Sequence, residues 1–158
     1  MRILGIDPGY GIIGFGLIEL VGVEWEMVDF GSITTESDQT MPERLLQIYE
    51  DIVTLIEELK PDLFAIEELF FVQNITTGLQ VSEARGVMLL AAAQYDLPIY
   101  AYAPNEIKMS ITGYGQADKS QVQKMVQSLL NLKTKPKPDD AADALAIALT
   151  CAFDRVSL

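Results

Sequence analysis

Apolar and polar positions along this chain change their period several times, and each change marks an element. Arg2-Ile-Leu-Gly-Ile-Asp7 is a short apolar run closed by Asp7-Pro8-Gly9, which predicts a buried strand ending in a turn. Ile12–Val21 and Val23–Thr34 are rich in β-branched and aromatic residues and are parted by Gly22, so a three-stranded meander is expected. The spacing then becomes helical. Thr40-Met-Pro-Glu43 is a capping box with proline in the first turn, and it opens a helix to Lys60. The apolar stripe of that helix is Leu45, Ile48, Ile52, Leu55 with Ile56, and Leu59, and Pro61 stops it. Asp62–Leu69 is a second buried-strand run, ending in two adjacent carboxylates. Thr76 to about Tyr95 reads as helix, and its Gly86–Ala93 stretch is apolar nearly all round, which suggests burial against the sheet or a partner. Leu97–Ala103 is a strand, Pro104–Ile111 a short helix and Gly113-Tyr-Gly115 a flexible connection. Asp118-Lys-Ser-Gln121 is a second capping box, for a helix to about Leu130. Lys133–Pro138 is an extended loop, and Asp139 or Asp140 caps a final apolar helix to about Phe153. With no internal repeat or linker, residues 1–158 are expected to form a single α/β domain, a mixed sheet with helices on its faces.

Composition adds exclusions. The 158 residues are 49% apolar and 22% charged, ordinary for a globular chain and against disorder. No apolar run approaches the ~20 residues of a membrane span, and Met1-Arg2-Ile3 runs straight into a strand rather than a signal peptide. The lone Cys151 allows no internal disulfide, and a reducing cytoplasm is the expected setting. The absence of histidine rules out a Ser-His-Asp triad and histidine-ligated zinc. The net charge of −12 argues, as one number, against a nucleic-acid partner. Its distribution argues otherwise. Residues 1–79 carry three basic and fifteen acidic side chains, whereas residues 80–158 carry eight of each. Within 107–138, Lys108, Lys119, Lys124, Lys133, Lys135 and Lys137 face Asp118 alone, the best candidate for an anion-facing surface.

Five acids then stand out. Asp7 ends a buried strand, where a carboxylate is costly unless it is hydrogen-bonded or holds a cation. Glu67 and Glu68 end another, and period-two alternation does not decide which faces inward in a sheet covered on both sides. Asp140 and Asp143, spaced i and i+3, share one face of a helical turn, and Ala141 and Ala142 let that face lie close to the sheet. A set of carboxylates without histidine or a cysteine pair suits Mg²⁺ or Mn²⁺, and two such ions clamp the attacking and leaving oxygens in phosphodiester hydrolysis. Lys119 starts a helix, where the macrodipole disfavours a cation, and a phosphate to be met would explain it. Lys108 and the Lys133, Lys135, Lys137 loop extend the basic surface toward Asp140. Phe70 and Phe71 read as core, or as a ring that stacks on an unpaired base, and Trp25 as sheet packing. Gly9-Tyr-Gly11-Ile-Ile-Gly14 has the letters of a dinucleotide fingerprint but precedes strand composition, so a tight hairpin with close backbone approach is expected instead.

Gly-Ile-Asp-Pro-Gly (5–9), Phe-Ala-Ile-Glu-Glu-Leu-Phe (64–70), Glu-Ala-Arg-Gly-Val (83–87), Ala-Asp-Lys-Ser-Gln-Val (117–122) and Asp-Ala-Ala-Asp-Ala-Leu-Ala-Ile-Ala (140–148) together resemble the RuvC family, Holliday junction endonucleases of the RNase H-like superfamily. The resemblance covers nearly the whole chain. It implies an RNase H-like mixed five-stranded sheet, three antiparallel strands and then parallel ones, flanked by helices. It also implies a crossover junction endodeoxyribonuclease that uses two Mg²⁺ per subunit, with Mn²⁺ able to substitute. Asp7, Glu67, Asp140 and Asp143 would bind metal, which chooses Glu67 over Glu68. Lys108 and Lys119 would act near the scissile phosphate, while Phe70 would stack on a base and Arg85 would contact DNA. A homodimer nicking two strands symmetrically and partnered by the RuvA–RuvB branch-migration complex is implied, with four-way junction DNA as substrate and no membrane. Relatives are usually basic, so a shallower salt dependence and weaker, metal-assisted DNA binding are expected here. A related nuclease acting on RNA or other branched DNA, or a non-catalytic junction-binding subunit, is the alternative. Asp7-x-Gly9 is also similar to the phosphate loop of actin-like ATPases and sugar kinases, whose second nucleotide lobe 158 residues leave no room for.

Overall fold

The computed structural model describes residues 1–70 and 74–156. Elements follow in the order β1 (Arg2–Asp7), β2 (Ile12–Val21), β3 (Glu24–Thr34), α1 (Met41–Leu59), β4 (Leu63–Glu67), α2 (Ile75–Gln94), β5 (Ile99–Tyr102), α3 (Pro104–Thr112), α4 (Lys119–Leu129) and α5 (Asp139–Arg155). One sheet has the order β3-β2-β1-β4-β5. The first three strands are antiparallel neighbours, and β1, β4 and β5 run parallel. This is the mixed five-stranded sheet that the resemblance implies.

Alternation along the strands divides the core into two layers. Leu4, Ile6, Phe64 and Ile66 pack with Ile48, Ile52 and Met88 on the α1–α2 face. Ile3, Ile18 and Ala65 pack with Ala148, Leu149 and Val126 on the α4–α5 face. Position parity therefore places Asp7, with Ile3, and Glu67, with Ala65, on the α5 face. The choice between Glu67 and Glu68 that periodicity leaves open is made by this packing. Trp25 is buried against the same layer, as expected.

Helix α5 lies unusually close to the sheet because glycines and alanines meet there. A Cβ on Gly5 would stand 2.1 Å from the Ala144 carbonyl oxygen, and one on Gly14 would stand 2.0 Å from the Asp140 carbonyl oxygen. Gly14 is also the register partner of Asp7, so one glycine brings the end of β1 and the first turn of α5 together. The close approach expected of these glycines is thus to α5. Gly9 to Gly14 opens β2 rather than a helix, which excludes the dinucleotide-fingerprint geometry. Gly14→Ala should push the first turn of α5 off the sheet. Overpacking of this kind costs about 1–3 kcal/mol and displaces two candidate ligands, so nicking should fall about a hundredfold with a lowered melting temperature. Parallel melts and turnover measurements check this.

Three details differ from the sequence-based expectation. Neither Asp139 nor Asp140 caps α5: Pro138 is the N-cap and both acids lie in the first turn, where the helix dipole favours them and their carboxylates remain free for other work. Helix α2 is capped by Asn74, whose side chain accepts from the Thr77 N–H at 3.3 Å. The strands are shorter, β4 ending at Glu67 and β5 spanning Ile99–Tyr102. At α1 the Glu43 carboxylate accepts from both the Thr40 N–H and hydroxyl at 2.7 Å, a variant of the expected box. The Gly113–Gly115 connection begins with Gly113 in the left-handed region closing α3, and the Tyr114 N–H donates to the Thr112 hydroxyl at 3.1 Å. No helix among the described residues is long and apolar enough to cross a membrane.

Candidate active site

The C-terminal ends of two adjacent parallel strands supply the first two acids. Asp7 is the last residue of β1 and Glu67 the last of β4, on neighbouring strands about 4.8 Å apart and on the same face. Helix α5 supplies the other two. Asp140 stands in its first turn, against Gly14, and Asp143 one turn further, above the apolar Ala144–Leu149 stretch. A cleft of ≈ 210 Å³ opens beside them, lined by Glu67, Lys108, Lys119 and Asp143 over a floor of Pro104, Ile107, Val122, Ala146 and Ile147.

Electrostatics tie the group together. Burial pushes the Asp7 carboxyl up to about 8, and the charges of Glu67, Asp143 and Asp140 add to that, against a smaller lowering by Lys119. Burial also raises Glu67, with Asp143 adding and Lys108 and Lys119 opposing. Asp143 is raised by burial, although the Lys119 ammonium bonds it at 2.8 Å and pulls it down. That bond holds the Lys119 ammonium charged more firmly than usual. Carboxylates sharing a half-buried cleft in this way demand positive charge. Lys119, at the start of α4, meets that demand from Asp143 rather than facing outward as a helix-terminal cation.

These donors fit a hard divalent cation: they are all carboxylate oxygens, each is partly withdrawn from water, and their mutual repulsion is relieved by added positive charge. With the side chains as they stand, no three acids among the described residues close on a single point. Asp143 points to Lys119 instead.

The other expected residues are distributed more widely. Lys108, on α3, faces Glu67 across the cleft. Phe70 follows β4 and is 61% exposed, so it is not core, and Phe71 lies outside the described residues. Lys133 and Lys135 line a separate hollow against Met27 and Phe30 of β3. Lys137 is exposed immediately before α5. Arg85 is half-buried, and its Nε donates to the Glu67 main-chain oxygen at 2.9 Å. That last contact was not legible as a motif, since it joins residues of two different elements.

A family profile described as crossover junction endodeoxyribonuclease RuvC matches residues 3–151. The chain is 53% identical over 154 residues to the crossover junction endodeoxyribonuclease RuvC of Thermosipho melanesiensis, covering 98% of each. Against the protein of the same description from Chloroflexus aggregans it is 51% identical over 158 residues, covering 100% of this chain and 96% of the relative. Among solved structures, Thermus thermophilus RuvC in complex with a Holliday junction substrate superposes with a TM-score of 0.91 at 34% identity, covering 98% of this chain and 94% of that one. Sequence and overall superposition agree, and the chain belongs to the RuvC family of crossover junction endodeoxyribonucleases.

Proposed function

We propose that the chain, acting as a single nuclease domain, is a Mg²⁺-dependent endodeoxyribonuclease that resolves four-way junctions by paired symmetric nicks in DNA recombination and repair. The observation that carries this is the electrostatic coupling of Asp7 to Glu67, Asp140 and Asp143, from two strand ends and one helix face, beside a cleft that Glu67 and Asp143 line together with Lys108 and Lys119. Together the four carboxylates would hold two ions per subunit, with Mn²⁺ as a substitute. Bound there, the metal supplies a nucleophilic water near neutral pH and charge stabilisation for the transferring phosphate. The protein's own part is positional. Gly14 fixes Asp140 against Asp7, the Ile107–Val122–Ile147 floor limits water, and Lys108 presents positive charge where a phosphate would lie. Lys119 positions Asp143 and adds a second charge on the same side. Phe70, exposed beside the end of β4, is available to stack on a base. The lysine loop at 133–137 would meet the DNA backbone further out.

Paired nicking requires two copies. Helix α2 offers a surface for the second: Ile75, Leu79 and Leu90 are 76%, 61% and 53% exposed, and Gly86 lies between them with nothing near its Cβ position. Such a stripe on one face of a helix fits an isologous homodimer with closely crossing helices. Family membership supports the further reading that the chain works with a RuvA–RuvB branch-migration complex in the cytoplasm.

The test is cleavage of a synthetic four-way junction, a flap and an RNA–DNA hybrid, with Mg²⁺ or EDTA. Metal-dependent nicks at symmetric positions in two strands of like polarity, on the junction alone, are expected. Equal cleavage of the hybrid, or cleavage in EDTA, overturns the reading.

A further inference from the structure

Helix α2 has one cation, Arg85, and the structure ties it to the strand that ends in Glu67. The need for that tie is written into the sheet. Asp62, just before β4, still donates its N–H to the Arg2 carbonyl, but within the strand Phe64 and, just past its end, Glu68 donate theirs to the Pro98 and Tyr102 carbonyls, so from Phe64 on the even residues turn toward β5. The odd residues of β4 therefore turn toward β1, and pairing runs from Ile3–Leu63 to Ile6–Ile66. One step further, the Glu67 carbonyl would take the N–H of residue 8. That residue is proline and has none. The ladder is thus left with an open acceptor at the residue whose carboxylate faces the cleft, and an unmet carbonyl in a half-buried position is costly. The Arg85 Nε fills it at 2.9 Å with a charge-assisted bond, which holds better than an amide's.

We propose that Arg85 is a positioning residue for the metal site: its guanidinium replaces the N–H that Pro8 lacks and so fixes the main chain from which the Glu67 carboxylate projects. This rests on the reading of Glu67 as a metal-binding acid. It gives Arg85 work inside the protein in place of the DNA contact that the family resemblance implies. It also explains why a proline immediately after Asp7 is tolerable at the end of a central strand, where the missing donor would otherwise leave the neighbouring strand frayed beside the cleft.

The proposal is tested by calorimetric Mn²⁺ titration of the wild-type protein, Glu67→Gln, Arg85→Ala and Arg85→Lys, alongside junction binding in EDTA across a salt series. Glu67→Gln should lose metal binding. Arg85→Ala should weaken Mn²⁺ binding about ten- to a hundredfold and raise the half-saturating Mg²⁺ for nicking by the same factor. Its junction affinity and salt slope in EDTA should match wild type. Arg85→Lys, which can still donate to the carbonyl, should recover part of the metal affinity. Circular dichroism melts confirm folding, and if the alanine variant unfolds, the lysine variant is read against wild type by the same criteria. Wild-type metal affinity in Arg85→Ala overturns the proposal. So does weakened junction binding with a salt slope reduced by about one, the signature of a lost phosphate contact. Mn²⁺ binding that Glu67→Gln leaves intact overturns the metal-site reading itself, and Arg85's role with it.

Discussion

Asp7→Asn should abolish nicking of a four-way junction while leaving junction binding in EDTA largely intact. Asparagine keeps the shape of the side chain and loses one anionic oxygen, so the fold and DNA-facing surface stay. What goes is the proposed metal ligand of β1 beside Glu67, and metal assistance is worth several kcal/mol, so the loss should be about 10³-fold or more in turnover. Single-turnover cleavage with saturating enzyme separates this from a binding defect. The environment makes Asp7 the most demanding of the four: it is the carboxyl pushed highest, chiefly by burial and then by its three acidic neighbours. Undiminished cleavage would remove Asp7 from the site. The same substitution should raise the melting temperature of the metal-free protein at neutral pH, since the folded chain otherwise has to keep Asp7 protonated at a pH where the unfolded chain ionises it.

That stability gain leads to the second large effect, a pH dependence of unusual sign for an acid. An unfolded aspartate gives up its proton near 3.8, whereas Asp7 in the folded chain holds it to about 8. Between these values the folded state binds the extra proton, so stability falls as pH rises from about 4 to about 8. Glu67 and Asp143 are raised as well and push in the same direction. Thermal melts in EDTA from pH 5 to 8.5 should therefore decline, and in Asp7→Asn the decline should be much shallower. Mg²⁺ should reverse it. Metal binds the deprotonated carboxylates of the folded chain only, so the gain in melting temperature on adding Mg²⁺ should grow with pH. A flat profile for the metal-free wild type would mean that the acids are far better solvated than their packing indicates.

Most of the architecture was legible in the sequence because local signals agreed with it. The apolar runs at 2–7 and 62–69 became the adjacent parallel strands β1 and, shortened to 63–67, β4, and both helices begun at the expected capping boxes start within a residue of them. Asp140 and Asp143 were legible as a pair because helical spacing alone puts them on one face. Glu67 was not separable from Glu68 by periodicity, because the sheet is covered on both sides; only the packing of Ala65 against α5 decides it. The cap of α5 was misread because aspartate suits both the cap and the first turn, and the proline before it holds the cap position. Lys119–Asp143 and Arg85–Glu67 lay outside the reach of any local pattern. Each joins residues on different elements, and in both cases only the meeting of two elements shows what the cation is for.

The distribution of charge also takes on a different meaning. The surplus of acids lies in residues 1–79, which supply Asp7 and Glu67, while two lysines of the later elements, Lys108 and Lys119, line the cleft with Glu67. Weak electrostatic attraction to DNA overall is compatible with a local site that becomes hospitable to phosphate once its carboxylates are neutralised.

The seating of α5 on Gly5 and Gly14 has a mechanical consequence. The sheet carries one half of the proposed ligand set and the helix the other, with almost no side-chain cushion at Gly5 and Gly14 to absorb movement. An ion shared between them would act as a rivet through both plates, so that loading the site stiffens the seam and unloading it lets the first turn of the helix breathe. Amide exchange in residues 139–144 is then a direct gauge of occupancy, slowing when Mg²⁺ enters while the far end of the same helix, near Arg155, keeps its own pace.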